Sequence, residues 1–161
     1  MPLRSDWSED RCPIARSLDI VGDPWVLLIL RQALSGVRRF DDFRTQIGVA
    51  DTVLSRRLRG MVDAGLLRRS PYLDGNRTRQ EYLLTEAGAD LLPVLNQLTL
   101  WGEKHRPHTD PGVHMTIVHV GCGAVSDTAE VCSSCGQELT PDQVRWRKTW
   151  REGDLQLVGP G

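Results

Sequence analysis

The 161-residue chain has no apolar run longer than six residues, Trp25 to Leu30, where a membrane-spanning helix needs roughly 20. Its opening residues, Met1 to Asp6, hold no apolar stretch of the kind a secretory leader carries. No membrane partner is expected, and the cytoplasm is the expected compartment. Missing too are a phosphate-cradling glycine loop, a nucleophile elbow and the paired-histidine helix of zinc proteases. The four histidines (105, 108, 114 and 119) and a lone Cys12 define no catalytic set, so no enzyme is expected. Lysine is nearly absent, with Lys104 and Lys148 against eighteen arginines. The net charge of −1 gives no overall pull towards a polyanion.

What is present is a 40% hydrophobic chain, enough to bury a core, and a charge distribution that the sum conceals. Between Gly36 and Arg79 lie ten arginines and five acids, so this stretch carries +5 and the remainder −6. Positive charge is therefore concentrated in one quarter of the chain.

Residues 1–10 read as a loose polar arm. Pro13 at a first helical position begins a helix with Ile14, Leu18 and Val21 at helical spacing. Gly22-Asp23-Pro24 breaks it, and Asp23 is placed to cap the next helix, Trp25 to Leu34, which is apolar almost all round. That composition predicts a central core helix. A short helix follows over Arg39 to Ile47, then a turn at Gly48, then a helix from Asp51 to Ala64. Leu66 to Tyr72 and Thr78 to Leu84 read as two strands around Asp74-Gly75-Asn76. Thr85 caps a long helix expected from Glu86 to Lys104, with Pro93 either kinking it or marking its first turns. From His105 to Gly112 the composition is that of a linker, followed by a strand from Val113 to Val120 and a tail holding Trp146 and Trp150. Two units are expected, residues 1–106 and residues 107–161.

Helix, turn, helix and a two-stranded ribbon in that order are the elements of a winged helix-turn-helix. With Leu54 at the centre of the second helix's core face and about 100° per residue, Leu58 and Met61 fall within about 40° of it. Thr52, Ser55, Arg56 and Arg59 then lie on or beside the opposite face. Arginine's fork pairs bidentately with guanine, and hydroxyls serve bases or phosphates. Arg57 lies nearer the core flank and is expected to brace the fold. Arg39 heads the first helix of the pair, and Arg77 and Arg79 place cations on the ribbon, where a narrow minor groove attracts arginine. Solvated surface charge is the competing reading of any one such helix. The ribbon, the turn and the regional +5 together favour double-stranded DNA as the partner.

Cys12-Pro13-Ile14 and Ile20-Val21-Gly22-Asp23-Pro24-Trp25-Val26-Leu27-Leu28 resemble the opening of HxlR-type regulators, a branch similar to the MarR group. So do Arg38-Arg39-Phe40, Val53-Leu54-Ser55-Arg56-Arg57-Leu58-Arg59, Ala64-Gly65-Leu66 and Tyr82-Leu83-Leu84-Thr85-Glu86-Ala87-Gly88, in the same order across residues 11–106. The resemblance implies a homodimeric winged-helix transcriptional regulator, a repressor or an activator, paired through its terminal helices. A two-fold dimer calls for a palindromic operator with half-sites roughly 34 Å apart. The chain departs from the family's Ser-Pro-Lys at Ala50-Asp51-Thr52, where Asp51 is expected to act as the helix cap. An adaptor that docks proteins instead of DNA is the rival reading.

His119-Val120-Gly121-Cys122-Gly123 and Cys132-Ser133-Ser134-Cys135-Gly136 are two copies of one pattern, two ligands separated by two residues and followed by glycine. A hairpin joining two such turns offers Cys₃His coordination for a structural zinc, with His114 or a water as substitutes for His119. A disulfide from Cys122, or free thiols, are the competing states. So few apolar residues surround the cluster that metal is expected to supply its folding energy. The expected fold is thus mainly α with a small β-wing, plus a short zinc-ribbon-like β-hairpin. Cys12 precedes a helix start, with Arg11 and Arg16 close by; both features favour thiolate. In some proteins the chain resembles, the matching cysteine senses oxidants or electrophiles, which implies an oxidant or small-molecule effector. Simple packing is the alternative role for a free cysteine.

Overall fold

A computed structural model describes residues 6–161. Its helices are α1 (Pro13–Val21), α2 (Pro24–Leu34), α3 (Phe40–Ile47), α4 (Asp51–Asp63), α5 (Glu86–Ala89) and α6 (Leu92–His105). Strands β1 (Leu67–Asp74) and β2 (Arg77–Leu84) form an antiparallel ribbon. Strands β3 (Met115–His119), β4 (Val125–Ser126), β5 (Val144–Lys148) and β6 (Asp154–Gln156) form a second sheet in the order β4-β3-β5-β6. Among the described residues no helix is long and apolar enough to cross a membrane. The fold is a winged helix-turn-helix with a cysteine-bearing β-extension.

Helix α2 starts as expected, the Asp23 carboxylate accepting from the Trp25 N–H at 2.9 Å with Pro24 in the first turn. Ile29, Leu30 and Leu34 are wholly buried, so the helix is covered on several sides at once. Phe43 of α3, Leu54 and Leu58 of α4, and Leu67 and Leu84 at the ribbon base close round it. The ribbon runs in register from Leu67 opposite Leu84 to Asp74 opposite Arg77, through a Gly75-Asn76 turn. Asp74, expected in the turn, belongs to the strand. Only the ribbon's base is buried; from Leu73 to Gln80 every residue is exposed.

Three expectations change. Residues 1–5 of the arm lie outside the described residues, but the rest of it is tied down. The Asp6 carboxylate accepts from the N–H and hydroxyl of Ser8, and the Trp7 N–H donates to Asp19 on α1. The long helix after Thr85 is two helices, broken at Asp90-Leu91, with Pro93 in the first turn of α6. Proline cannot donate and clashes with the carbonyl four residues back, so the chain stops and restarts. Asp51 does not cap α4: Ala50 holds the cap position in extended conformation, and Asp51 is already helical.

The extension is more than a hairpin held by its cysteines. Ile117, Leu139, Val144, Trp146 and Leu157 are buried in the same apolar cluster as Ile29 and Leu30. Alternation along β5, with Val144 and Trp146 buried and Arg145 and Arg147 exposed, turns one face of the sheet onto α6. There the buried Asn96 accepts from the Trp146 indole N–H (3.0 Å) and donates to the Ala129 carbonyl (3.0 Å). The Val158 N–H then bonds the Leu34 carbonyl at the end of α2, and the Gly161 N–H bonds Leu84 at the base of the ribbon.

Replacing Asn96 with Leu strands the Trp146 N–H and the Ala129 carbonyl. Chemical denaturation is expected to show a loss of roughly 1–3 kcal/mol, with faster amide exchange along β5. Unchanged stability would mean that this bond does not hold the extension to α6.

Candidate nucleic-acid interface and metal-ligand cluster

Helix α3 ends at Gly48, whose left-handed backbone (φ 73°) turns the chain into α4. On α4, Leu54, Leu58 and Met61 are buried, and Thr52, Ser55, Arg56 and Arg59 are exposed on the other side. Arg56 and Arg59 make no ion pair or hydrogen bond with any of the described residues. Arg57, by contrast, pairs with Asp23, the residue that caps α2. Its position between α4 and the start of α2 is the bracing one that its place on the helical wheel called for.

The other cations expected at the interface divide in two. Arg77 stands at the exposed tip of the ribbon, in register with Asp74. Arg79 is engaged within the protein, its Nε 3.0 Å from Asp74 and its Nη1 3.6 Å from Asp41. Arg39 lies over the Tyr72 ring, 4.4 Å from its centroid. Arg39, Arg79, Tyr72, Asp41 and Asp74 line a shallow cleft between α3 and the ribbon. The acids at its edge were missed, because sequence spacing shows Asp41 on α3 but not the ribbon folding over it. Arg44 draws on Asp41 and on Asp51, which explains where the Asp51 carboxylate goes instead of capping. All these pairs are well exposed to water, so they steer side chains more than they stabilise the fold.

In the extension, His119, Cys122, Cys132 and Cys135 bring one donor atom each to within 4.8 Å of one another. The two copies of the motif fold into the same turn. The Gly123 N–H bonds the His119 carbonyl at 2.8 Å, and the Gly136 N–H bonds the Cys132 carbonyl at 2.8 Å. Each glycine sits at positive φ (72° and 76°), where a side chain is disfavoured. His119 ends β3 fully buried, its Nδ1 3.2 Å from the Cys122 Sγ and 3.3 Å from the Cys135 Sγ. The Cys122 and Cys132 sulfurs are 3.7 Å apart, close to the edge of about 3.8 Å that a tetrahedron with bonds of about 2.3 Å requires. His114 is elsewhere, its N–H bonded to the Thr149 hydroxyl.

Backbone N–H groups of Cys135 and Ser134 aimed at Cys132 pull its thiol pKa below the usual range. For Cys135 the Gln137 N–H pulls the same way but is outweighed; burial and the two neighbouring sulfurs push that thiol up. A cation bound among these sulfurs would relieve the repulsion between neighbouring thiolates. Gly121 packs on the imidazole, and a Cβ there would stand 2.9 Å from the His119 Cε1. The cluster can hold a metal ion through four protein donors.

Cys12 is exposed at the amino-terminal cap of α1, its N–H bonded to the Asp10 carboxylate. The Arg16 guanidinium beside it donates to the carbonyls of Asp10 and Arg11. Helix α1 buries none of its residues, with Ile14 69% exposed, and α6 leaves Leu98 and Trp101 about half exposed (48% and 51%).

A profile of the HxlR-like helix-turn-helix family matches residues 20–110. The chain belongs to that family. It is 40% identical to the HTH-type transcriptional regulator Rv3095 of Mycobacterium tuberculosis over 131 residues, 81% of this chain and 82% of that one. The crystal structure of PA1607, a candidate transcription factor, is similar over 84% of this chain and 94% of that one, with 34% identity and a TM-score of 0.70. The redox regulator HypR in its reduced form is similar over 59% of this chain and 94% of its own, with 30% identity and a TM-score of 0.54. The HxlR-like match takes in the helix-turn-helix, the ribbon and α6, and stops before β3.

Proposed function

We propose that the protein is a sequence-specific transcriptional regulator that binds double-stranded DNA as a homodimer and acts as a repressor. The observation that carries this reading is the outer face of α4. Thr52, Ser55, Arg56 and Arg59 are exposed there without internal ion pairs, on a helix held rigid by Leu54, Leu58 and Met61. Membership of a helix-turn-helix family and likeness to named regulators support it. Arg77 reaches the flanking groove from the ribbon tip, while Arg39 and Arg79 give up Tyr72 and the two acids when phosphate replaces them. The uncovered apolar side chains of α1 and α6 supply the dimer contact, since a lone chain leaves them in water. Arg56→Ala is expected to weaken specific binding by roughly 1–3 kcal/mol and to relax preference at one base pair in each half-site. Titration of operator and scrambled duplexes measures this, and a footprint on the same operator should show two half-sites related by a dyad. A single unrepeated half-site would count against the dimer.

For the cysteine cluster we propose zinc as the occupant, held by His119 Nδ1 and the three sulfurs. Four protein ligands leave no open position, so the ion ties the two turns together and does no chemistry. Protein purified without chelator is expected to carry about one zinc per chain, and Cys132→Ser to lose it. Less than about half an equivalent would overturn this assignment.

Cys12 supports a redox-responsive version of the same reading, because it is exposed at a helix start beside the uncovered face of α1. Likeness to HypR, a redox regulator, adds to it. Mild peroxide or quinone is expected to modify Cys12, as read by mass spectrometry, and to lower operator affinity in wild type but not in Cys12→Ser. Equal loss of affinity in both would remove Cys12 from the response.

A further inference from the structure

A cavity of about 250 Å³ lies where the carboxyl end of α2, helix α3 and the β5–β6 connection meet. It opens to solvent, and at roughly 30 Å³ per water it has room for a small metabolite. Its lining is polar: Gln32, Ser35 and Gln46 supply amides and a hydroxyl, Lys148 and Arg151 supply two cations, and Asp42 is the acid.

The charge around it is unbalanced. Arg31, half-buried, donates from Nε to the Gln32 side-chain carbonyl at 3.1 Å and adds a third cation behind the wall. Among the described residues no carboxylate forms an ion pair with Arg31, Lys148 or Arg151, and the partner Lys148 has is the Trp146 ring, 5.8 Å from its Nζ to the centroid. Burial, then the charges of Arg31 and Arg151, bring the Lys148 ammonium down to about 8. Clustered cations with part of their hydration removed are unfavourable until an anion joins them. The floor is preset as well. The buried Gln32 amide donates to the Gln46 side-chain carbonyl at 2.6 Å and the Ser35 hydroxyl to the Arg31 carbonyl at 2.7 Å, which holds the Gln46 side chain in place and leaves the cations as the chief donors for a ligand.

We propose that this cavity binds a small oxyanion, a carboxylate or phosphate compound that also carries a hydroxyl or amine. The oxyanion lies between Lys148 and Arg151, where a guanidinium can pair with it through two parallel bonds. The donor faces Asp42, which would otherwise repel the ligand. Asp42 and Gln46 belong to α3, the helix just before the reading helix, and Lys148 and Arg151 to the extension. An occupant therefore fastens one unit to the other. Its influence on DNA affinity rests on the regulator reading; its binding does not.

The full-length protein, free of DNA and at fixed ionic strength, is titrated by two-dimensional amide NMR with inorganic phosphate, succinate and malate in turn. Saturable shifts are expected at residues 32–36, 42–46 and 148–151. Malate, which has a hydroxyl, is expected to bind more tightly than succinate, which lacks one. Phosphate binding without carboxylate binding would assign the ligand to phosphate compounds, and the reverse to carboxylic acids. Lys148→Met and Arg151→Gln are each expected to weaken binding by about tenfold or more, and Arg106→Gln to leave it unchanged. Absence of saturable shifts for all three probes up to about 10 mM, a concentration worth only ~3 kcal/mol of binding, overturns the proposal. So does affinity that survives both substitutions in folded protein. Because the assay contains no DNA, its failure leaves the regulator reading standing, and loss of DNA binding leaves this site untouched.

Discussion

Helix α2 has almost no polar side to offer water, and most of the fold follows from covering it. Ile29 and Leu30 lie about 100° apart round the helix, Leu34 shares the face of Leu30, and all three are fully buried. The helix-turn-helix covers one side, the base of the ribbon another, and α6 with the extension closes the rest. At roughly 25 cal/mol per Å² of apolar surface removed from water, each such side chain contributes about 1.5–3 kcal/mol. No single neighbour could hide all of them. Helix α4 is therefore fixed in place by the same burial that recruits the C-terminal sheet.

Electrostatics sort the arginines by what the fold has already given them. Arg57, Arg44, Arg79 and Arg147 have carboxylate partners, and Arg39 has the Tyr72 ring. Among the described residues Arg56 and Arg59 on α4, and Arg31 and Arg151 around the cavity, have no carboxylate, and Arg38, Arg69 and Arg77 share that state. Lack of a carboxylate is common among the arginines of this chain, so position decides: a convex helix face for one group and a partly buried cleft for the other. Two of these groups, one on α4 and one around the cavity, lie on different elements and are the ones proposed to meet anions, one polymeric and one small.

Periodicity made the helices legible, and the buried stripe of α4 follows from Leu54, Leu58 and Met61 at helical spacing. The duplicated ligand-x-x-ligand-glycine pattern made the cysteine turns legible, down to the matching N–H bonds of Gly123 and Gly136. What escaped was long-range. Asn96 reads as a polar interruption in an apolar helix, and only the folded chain shows that Trp146, fifty residues on, needs its carbonyl. Because that contact was invisible, the extension looked too poor in apolar residues to stand without metal, when it shares the main core. The cavity was hidden for the same reason: Gln32, Asp42 and Lys148 are distant in sequence and carry no motif.

The ribbon buries side chains at one end only, and its outer half is held to α3 by the exposed Arg79–Asp41 pair. Leu67, Leu83 and Leu84 are buried at its base, and everything from Leu73 to Gln80 stands in water. Two strands without a covered face are marginal by themselves and twist strongly. Their outer half can thus bend and fray at little free-energy cost while the base keeps its register. The molecule combines a stiff probe, α4, with a compliant one, and the compliant one carries Arg77. If both meet DNA as proposed, such a contact adapts to grooves of differing width, which places tolerance of flanking sequence in the ribbon and discrimination in the helix.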